Sequence, residues 1–411
     1  GAAAPTFRRM SRTRISPRLL AFSAAGAMAL AVFGACSRTE IYADGEAAID
    51  AAIVKDVAVD ASIVLDATPD VQPKACIPGQ FDFERATTQL VFVIDRSGSM
   101  AFSLDGQDRN PPRGQSRWKI LQSSLAPALQ SLQGTVELGA KFFPEEFEAT
   151  DPDAALKSCS GGTVVDVPPT RNNAPSILSV FDRSNPIGGT PTAEAMQGAR
   201  NYLLGAGRRY LARFLVLATD GAPNCNSDPA ITPQNCVCTA RDIVYCQEPL
   251  FDPQQCLDDR RTVDVVRAIN DTDKVATFVI GVGADQAQSP AYLATLNAMA
   301  LAGGRPRTGT VKYYDGSTVA GLNGAVQSIQ NGVARCVFVT PSAPKDPDAI
   351  SVTIDGVAVS RDATNQSGWN WTDQDYGALS FFGPACDTLL ANADAKVSGT
   401  VACSDGGTPN P

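Results

Sequence analysis

Histidine is absent from all 411 residues of this chain. That absence excludes Ser-His-Asp and Cys-His catalysis and removes the histidine ligands of most catalytic zinc sites. Chemistry carried by Lys, Tyr or carboxylate groups stays open. Positive charge is also short. Lys and Arg number 34 against 43 Asp and Glu, a net −9, so the basic face needed to bind a phosphate backbone is missing and nucleic acid is not expected as a partner. Near the start, the uncharged run Leu19–Phe33 has fifteen residues, short of the roughly 20 that a membrane-spanning helix needs.

That run nevertheless has the form of an export signal. Arg12, Arg14 and Arg18 precede it, and it ends in Phe33-Gly34-Ala35-Cys36. The ending resembles a bacterial lipobox, although Phe33 stands where that pattern prefers Leu. The resemblance implies cleavage before Cys36, lipidation of Cys36 and anchoring in a membrane. Ser37 after Cys36, by the same analogy, directs the protein to the outer membrane, facing the periplasm or the cell surface. Residues 1–36 are therefore expected to be a signal peptide with its lipobox.

Cysteine supports export. Besides Cys36 there are ten: Cys76, Cys159, Cys225, Cys236, Cys238, Cys246, Cys256, Cys336, Cys386 and Cys403. An even number in an oxidising compartment predicts disulfides. The rival reading is a zinc or iron–sulfur cluster on Cys236, Cys238, Cys246 and Cys256, spacings that matter more in a reducing cytosol. Five of the ten lie between Cys225 and Cys256 and cannot all pair among themselves, so one must reach outside, with Cys159 the candidate.

Residues 37–74 read as a stalk. The heptad Asp50-Ala51-Ala52-Ile53-Val54-Lys55-Asp56 recurs as Asp60-Ala61-Ser62-Ile63-Val64-Leu65-Asp66, and a stretch so poor in aromatic residues can bury little. From residue 75 the pattern changes. Apolar strand-like runs at 90–94, 135–143, 214–219, 276–281 and 312–314, with a short edge strand at 163–167, alternate with helical periodicity at 118–132, 192–204, 257–269, 291–302 and 319–333. Strands alternating with helices predict an α/β fold, a Rossmann-like doubly wound and mostly parallel sheet covered on both faces. This domain is expected over 75–335, with a cysteine- and proline-rich insertion at 221–256. Short strand signals at 337–340, 351–354, 357–360 and 379–382, with an Asp355-Gly356 turn, predict a small β-rich module over 336–403. Cys386 and Cys403 can pair within it. Residues 404–411 read as a disordered tail.

Three segments carry oxygen ligands. Asp95-Arg96-Ser97-Gly98-Ser99 follows the run Leu90–Ile94, Gly188-Gly189-Thr190-Pro191-Thr192 opens a helix, and Asp220-Gly221 follows the run Phe214–Thr219. Such groups meet at the carboxyl edge of a parallel sheet. Two carboxylates and three hydroxyls form an all-oxygen shell that suits a hard divalent cation. In order and in local context, Asp95, Ser97, Ser99, Thr190 and Asp220 match the metal-ion-dependent adhesion site of von Willebrand factor type A domains, and the chain resembles the bacterial branch of that family. The resemblance implies magnesium, with calcium or manganese as substitutes. It also implies a coordination position left open for a glutamate or aspartate of a protein ligand. Because the ends of that domain lie close together in the family, Cys76 and Cys336 are expected to clasp it.

The function expected from these residues is that of a non-enzymatic cell-envelope lipoprotein that binds a protein ligand through the metal. The alternatives are a scaffold subunit of an envelope complex or a metal-assisted hydrolase, the latter without a general base apparent beyond the ligands themselves. Paired tryptophans such as Trp369 and Trp371 can stack on sugars but more often serve packing, so a glycan partner is not expected.

Overall fold

The computed structural model describes residues 72–205, 212–240, 242–283, 290–392 and 394–403, together with Gly1. Cys36 with its signal segment, the stalk up to residue 71 and the tail from residue 404 lie outside the described residues. Among those described, no helix is long and apolar enough to cross a membrane.

The larger body is built on a six-stranded sheet. Across it run Val167–Thr170, Val136–Phe143, Thr88–Asp95, Ala212–Thr219, Ala276–Val282 and Tyr314–Gly316. Every neighbouring pair is parallel except the antiparallel edge strand Val167–Thr170. Thr88–Asp95 lies at the centre and is buried at every position, because a parallel strand covered on both faces needs apolar side chains in both directions. Its alternation divides the core. Leu90, Phe92 and Ile94 join one cluster with the helices Arg117–Leu132, Ala174–Arg183 and Val319–Arg335. Val91 and Val93 join the other with Thr192–Gly205, Asp259–Asp271 and Pro290–Ala302. The doubly wound, mostly parallel arrangement is thus the one expected.

Two differences stand out within this body. The edge strand sits at 167–170, just beyond the expected 163–167. The helix Ala174–Arg183 was not expected at all, although Ala174, Ile177, Val180 and Phe181 point to the core at helical spacing. Phe181 closes an aromatic cluster with Trp118 and Phe142, and its carbonyl accepts the Trp118 indole N–H at 3.1 Å.

The smaller body corrects the expected boundaries. It contains two four-stranded sheets, and each takes one strand from before the parallel sheet. Gly79–Asp82 pairs antiparallel with Val397–Val401, and Glu84–Arg85 with Val337–Val339. Residues 79–85 therefore belong with the module at 336–403 and not with a domain starting at 75, and the parallel sheet body is inserted between the two halves. A helix, Pro384–Ala391, and the strands Gly368–Asp373 and Val397–Val401 also went unanticipated. Trp369 is buried in this core and stacks edge-on against Trp371, whose indole N–H donates to the Pro347 carbonyl at 3.0 Å.

Strand pairing also decides the disulfides. Because Gly79 sits opposite Val401, Cys76 and Cys403 meet just beyond that pair and are bonded, while Cys336 bonds Cys386. The expected pairings Cys76–Cys336 and Cys386–Cys403 are exchanged. Where the two bodies touch, Arg305 is buried among Phe214, Phe278 and Phe382, and its Nη2 donates to Ser380 Oγ at 2.8 Å. Burial pulls its pKa down to about 10.

Candidate metal centre

The parallel register sets the site. Ile94 pairs with Ala218, so both strands run out at the same edge and Asp95 and Asp220 leave it side by side. Asp95 is fully buried. Its Oδ1 accepts from the Ser97 backbone N–H at 2.7 Å and its Oδ2 from Thr219 Oγ1 at 2.6 Å. Beyond it the chain turns through a short 3-10 helix, Gly98–Ala101. Ser97 Oγ and Ser99 Oγ are 3.1 Å apart, and Ser99 Oγ donates to Asp220 Oδ1 at 2.8 Å.

Thr190 arrives on a separate loop, before the helix Thr192–Gly205. The Gly98 N–H donates to the Gly188 carbonyl at 3.0 Å, which fastens the serine loop to the threonine loop. A methyl group placed on Gly221 would stand 3.3 Å from Thr190 Oγ1 and 3.5 Å from Ser99 Oγ. All three segments therefore close around one point, and the five residues singled out in the sequence are brought together there.

Arg117 was missed. It begins the helix Arg117–Leu132, where the helix dipole disfavours a cation, and its Nη1 lies 2.7 Å from Asp220 Oδ2 with both side chains buried. Its position in the first helical turn, after the capping Ser116, was the one signal available. Arg96, which sits between the ligands in sequence, turns away. Its Nε donates to the Pro144 carbonyl at 2.8 Å, and its Nη1 reaches Ser184 Oγ at 3.3 Å and Glu146 at 3.8 Å.

The electrostatics follow from burial. Asp95 is pushed up to about 7, first by loss of water and then by the charge of Asp220. Asp220 is also raised by burial, against the pull of Arg117. Tyr292 is buried nearby with no hydrogen-bond partner for its hydroxyl among the described residues, and burial and the two aspartate charges hold its pKa well above the ordinary value. Two desolvated carboxylates, three hydroxyls and one orphaned hydroxyl are a donor set that fits a hard divalent cation with water. Among the described residues no three or more His, Cys, Asp or Glu side chains cluster as a metal site.

The insertion forms one wall beside Thr190. Cys236–Cys256 and Cys238–Cys246 staple it internally, and Cys225 reaches out to Cys159. The disulfide reading of these cysteines replaces the cluster reading. At its outer surface Ile243, Tyr245 and Leu250 are exposed.

The sequence profile of the von Willebrand factor type A domain matches residues 90–222, the stretch that carries all five site residues. Comparison with curated proteins gives no match. Among solved structures, the chain is similar to the PilB minor pilin of Streptococcus sanguinis, with 17% identity, a TM-score of 0.42 and coverage of 61% of this chain and 62% of the pilin. It is similar also to the vWF domain of the type V pili tip protein Mfa5 of Porphyromonas gingivalis, with 14% identity, a TM-score of 0.37 and coverage of 60% and 95%. A third likeness is to manganese-loaded TRAP protein of Plasmodium vivax, with 15% identity, a TM-score of 0.35 and coverage of 66% and 94%. The match therefore spans about three fifths of the pilin's length. On the profile match and the sheet that carries it, residues 90–222 form a von Willebrand factor type A domain within this chain.

Proposed function

We propose that Asp95, Ser97, Ser99, Thr190 and Asp220 hold a divalent cation, magnesium or in its place calcium or manganese, and that the cation captures a carboxylate of a protein partner. The observation that carries this reading is the pair of buried aspartates at one sheet edge, ringed by three hydroxyls, with Arg117 paired to Asp220. When bound, the cation supplies a Lewis-acidic point that an anionic side chain can approach. The chain's own residues do the rest. The backbone of Ser97 and the hydroxyl of Thr219 orient Asp95, and Ser99 orients Asp220. Arg117 neutralises part of the carboxylate charge, so a dication here keeps a net positive field toward an anionic partner.

The same reading makes the protein non-enzymatic. It has no histidine, and the carboxylates at the site are the ligands themselves. A scaffold role within an envelope complex would use the same centre. The envelope location rests on the export signal and on the cysteines. The five disulfides use every cysteine except Cys36, which leaves Cys36 to carry a lipid anchor. A Cys36→Ser variant that stays in the membrane fraction would refute the anchor. Magnesium titrated calorimetrically into chelated protein, and a pull-down from envelope extract with and without chelator, test the centre. No uptake at millimolar magnesium, or equal capture in chelator, overturns it.

A further inference from the structure

The loop that carries Thr190 belongs to no strand or helix, and its backbone is held from outside. On one side, the Gly189 N–H donates to the Ser158 carbonyl at 3.0 Å and to Ser158 Oγ at 3.1 Å. On the other, the Thr190 N–H donates to Asn224 Oδ1 at 2.7 Å, and the Asn224 N–H donates back to the Thr190 carbonyl at 3.0 Å. Ser158 and Asn224 each stand immediately before a cysteine, and those two cysteines, Cys159 and Cys225, are bonded to each other. The disulfide therefore closes a clamp with the threonine loop between its jaws.

Two details tie the clamp to the disulfide. Ser158 ends the five-residue helix Ala154–Ser158, which buries none of its side chains, so the Ser158 jaw is held by its neighbours in the chain, Ser160 hydrogen-bonded to Glu145 and Gly161 to Glu194, and by the disulfide. Cys225 is buried with φ +62°, a backbone region that L residues seldom occupy. Its sulfur lies where a side chain on Gly189 would go, 2.8 Å from the position of a Cβ there. The sulfur is thus seated against the loop that it helps to hold.

We propose that the Cys159–Cys225 disulfide, acting through Ser158 and Asn224, positions Thr190 for the cation, so that breaking this disulfide weakens cation binding while the fold persists. The proposal rests on the metal reading above. Groups that orient metal ligands in this way typically change affinity by about 10- to 100-fold when removed. The other staples of the insertion, Cys236–Cys256 and Cys238–Cys246, reach the loop at one remove, through Thr239, whose Oγ1 accepts from Asn224 Nδ2 at 3.3 Å and donates to the Gln255 carbonyl at 2.7 Å.

The test is magnesium titration into chelated full-length protein, with circular dichroism at the same temperature to show that each variant is folded. Cys159→Ala/Cys225→Ala is expected to raise the magnesium Kd about tenfold or more. Cys236→Ala/Cys256→Ala, one step further from the loop, is expected to lower the melting temperature and to move the Kd less than Cys159→Ala/Cys225→Ala does. Asn224→Ala removes one jaw and leaves every disulfide intact, and it is expected to raise the Kd several-fold. It serves as the deciding variant where the double mutant does not fold. An Asn224→Ala protein, or a folded Cys159→Ala/Cys225→Ala protein, that binds magnesium as tightly as wild type overturns the clamp and leaves the metal centre standing. A wild-type protein that takes up no magnesium overturns both.

Discussion

The two bodies of this molecule reach order by different routes. The parallel sheet body has long apolar strands buried on both faces, and its only disulfides lie in the loops and the insertion at the sheet edge. The smaller body has strands of two to six residues and a single modest core, and disulfides tie its ends and its helix. Small cores are where covalent links add most. The comparison separates two kinds of residue. In the large body the polar residues at the sheet edge, the proposed cation ligands, lie outside the two apolar clusters. In the small body the covalent links are themselves part of what holds the fold.

The largest expected effect tests whether edge chemistry and core stability are as separable as that contrast implies. Asp220→Ala should abolish measurable cation binding. It should also destabilise the chelated protein by about 3–5 kcal/mol, because Arg117 is left buried without its carboxylate. Asp95→Asn should abolish binding too, yet leave the chelated protein as stable as wild type or more so at pH 8, since a raised carboxylate loses its unfavourable charge. Urea denaturation in chelator distinguishes them. Equal losses in both variants would show that Arg117 does not act as the partner described.

Next in size is the small body. Cys76→Ala/Cys403→Ala should cost about 2–5 kcal/mol and leave the magnesium Kd unchanged. If the Kd moves with it, the two bodies are coupled more tightly than the comparison allows.

Smaller again is the effect of pH. With its pKa near 7 in the folded chain and an ordinary value of 3.8, Asp95 contributes stability to the chelated protein that is complete below the ordinary value and is lost as pH rises through about 7. Cation binding has the opposite sign, since the ion must displace that proton. Calorimetry should show affinity falling as pH drops below about 7, and a flat profile would mean that Asp95 is already ionised. The mildest change is Ser99→Ala, which removes one neutral donor and the bond to Asp220. It should weaken magnesium binding by roughly tenfold or less, and a loss as complete as that of Asp220→Ala would contradict the charge argument.

The large body was legible because its signals are local. Leu90–Ile94 and Phe214–Thr219 announce buried strands by composition, and the aspartates and serines that end them follow in sequence. Thr190 could be read from the loop that opens a helix. The helix Ala174–Arg183 was passed over because its ten residues lie inside a stretch that otherwise reads as loop. Arg117 was invisible for a different reason: nothing in the pattern around it says which carboxylate a helix-start arginine will meet. In the small body the information is not local at all. Gly79–Asp82 becomes a strand by pairing with residues more than three hundred positions away. No short-range rule connects Cys76 to Cys403, so their partners were exchanged in the expected scheme. Val397–Val401, interrupted by Ser398, Gly399 and Thr400, carries only a weak strand pattern of its own.

The central strand has a mechanical consequence. Thr88–Asp95 leaves the small body at one end and presents Asp95 at the other. A pull applied between the small body and whatever grips the site runs along that strand's own axis. It is resisted by eight register pairs with Val136–Phe143 and seven with Ala212–Thr219. Those contacts are loaded in shear and must yield together, where a peeling force would break them one at a time. The inserted arrangement thus puts the central strand of the sheet between the small body and the site.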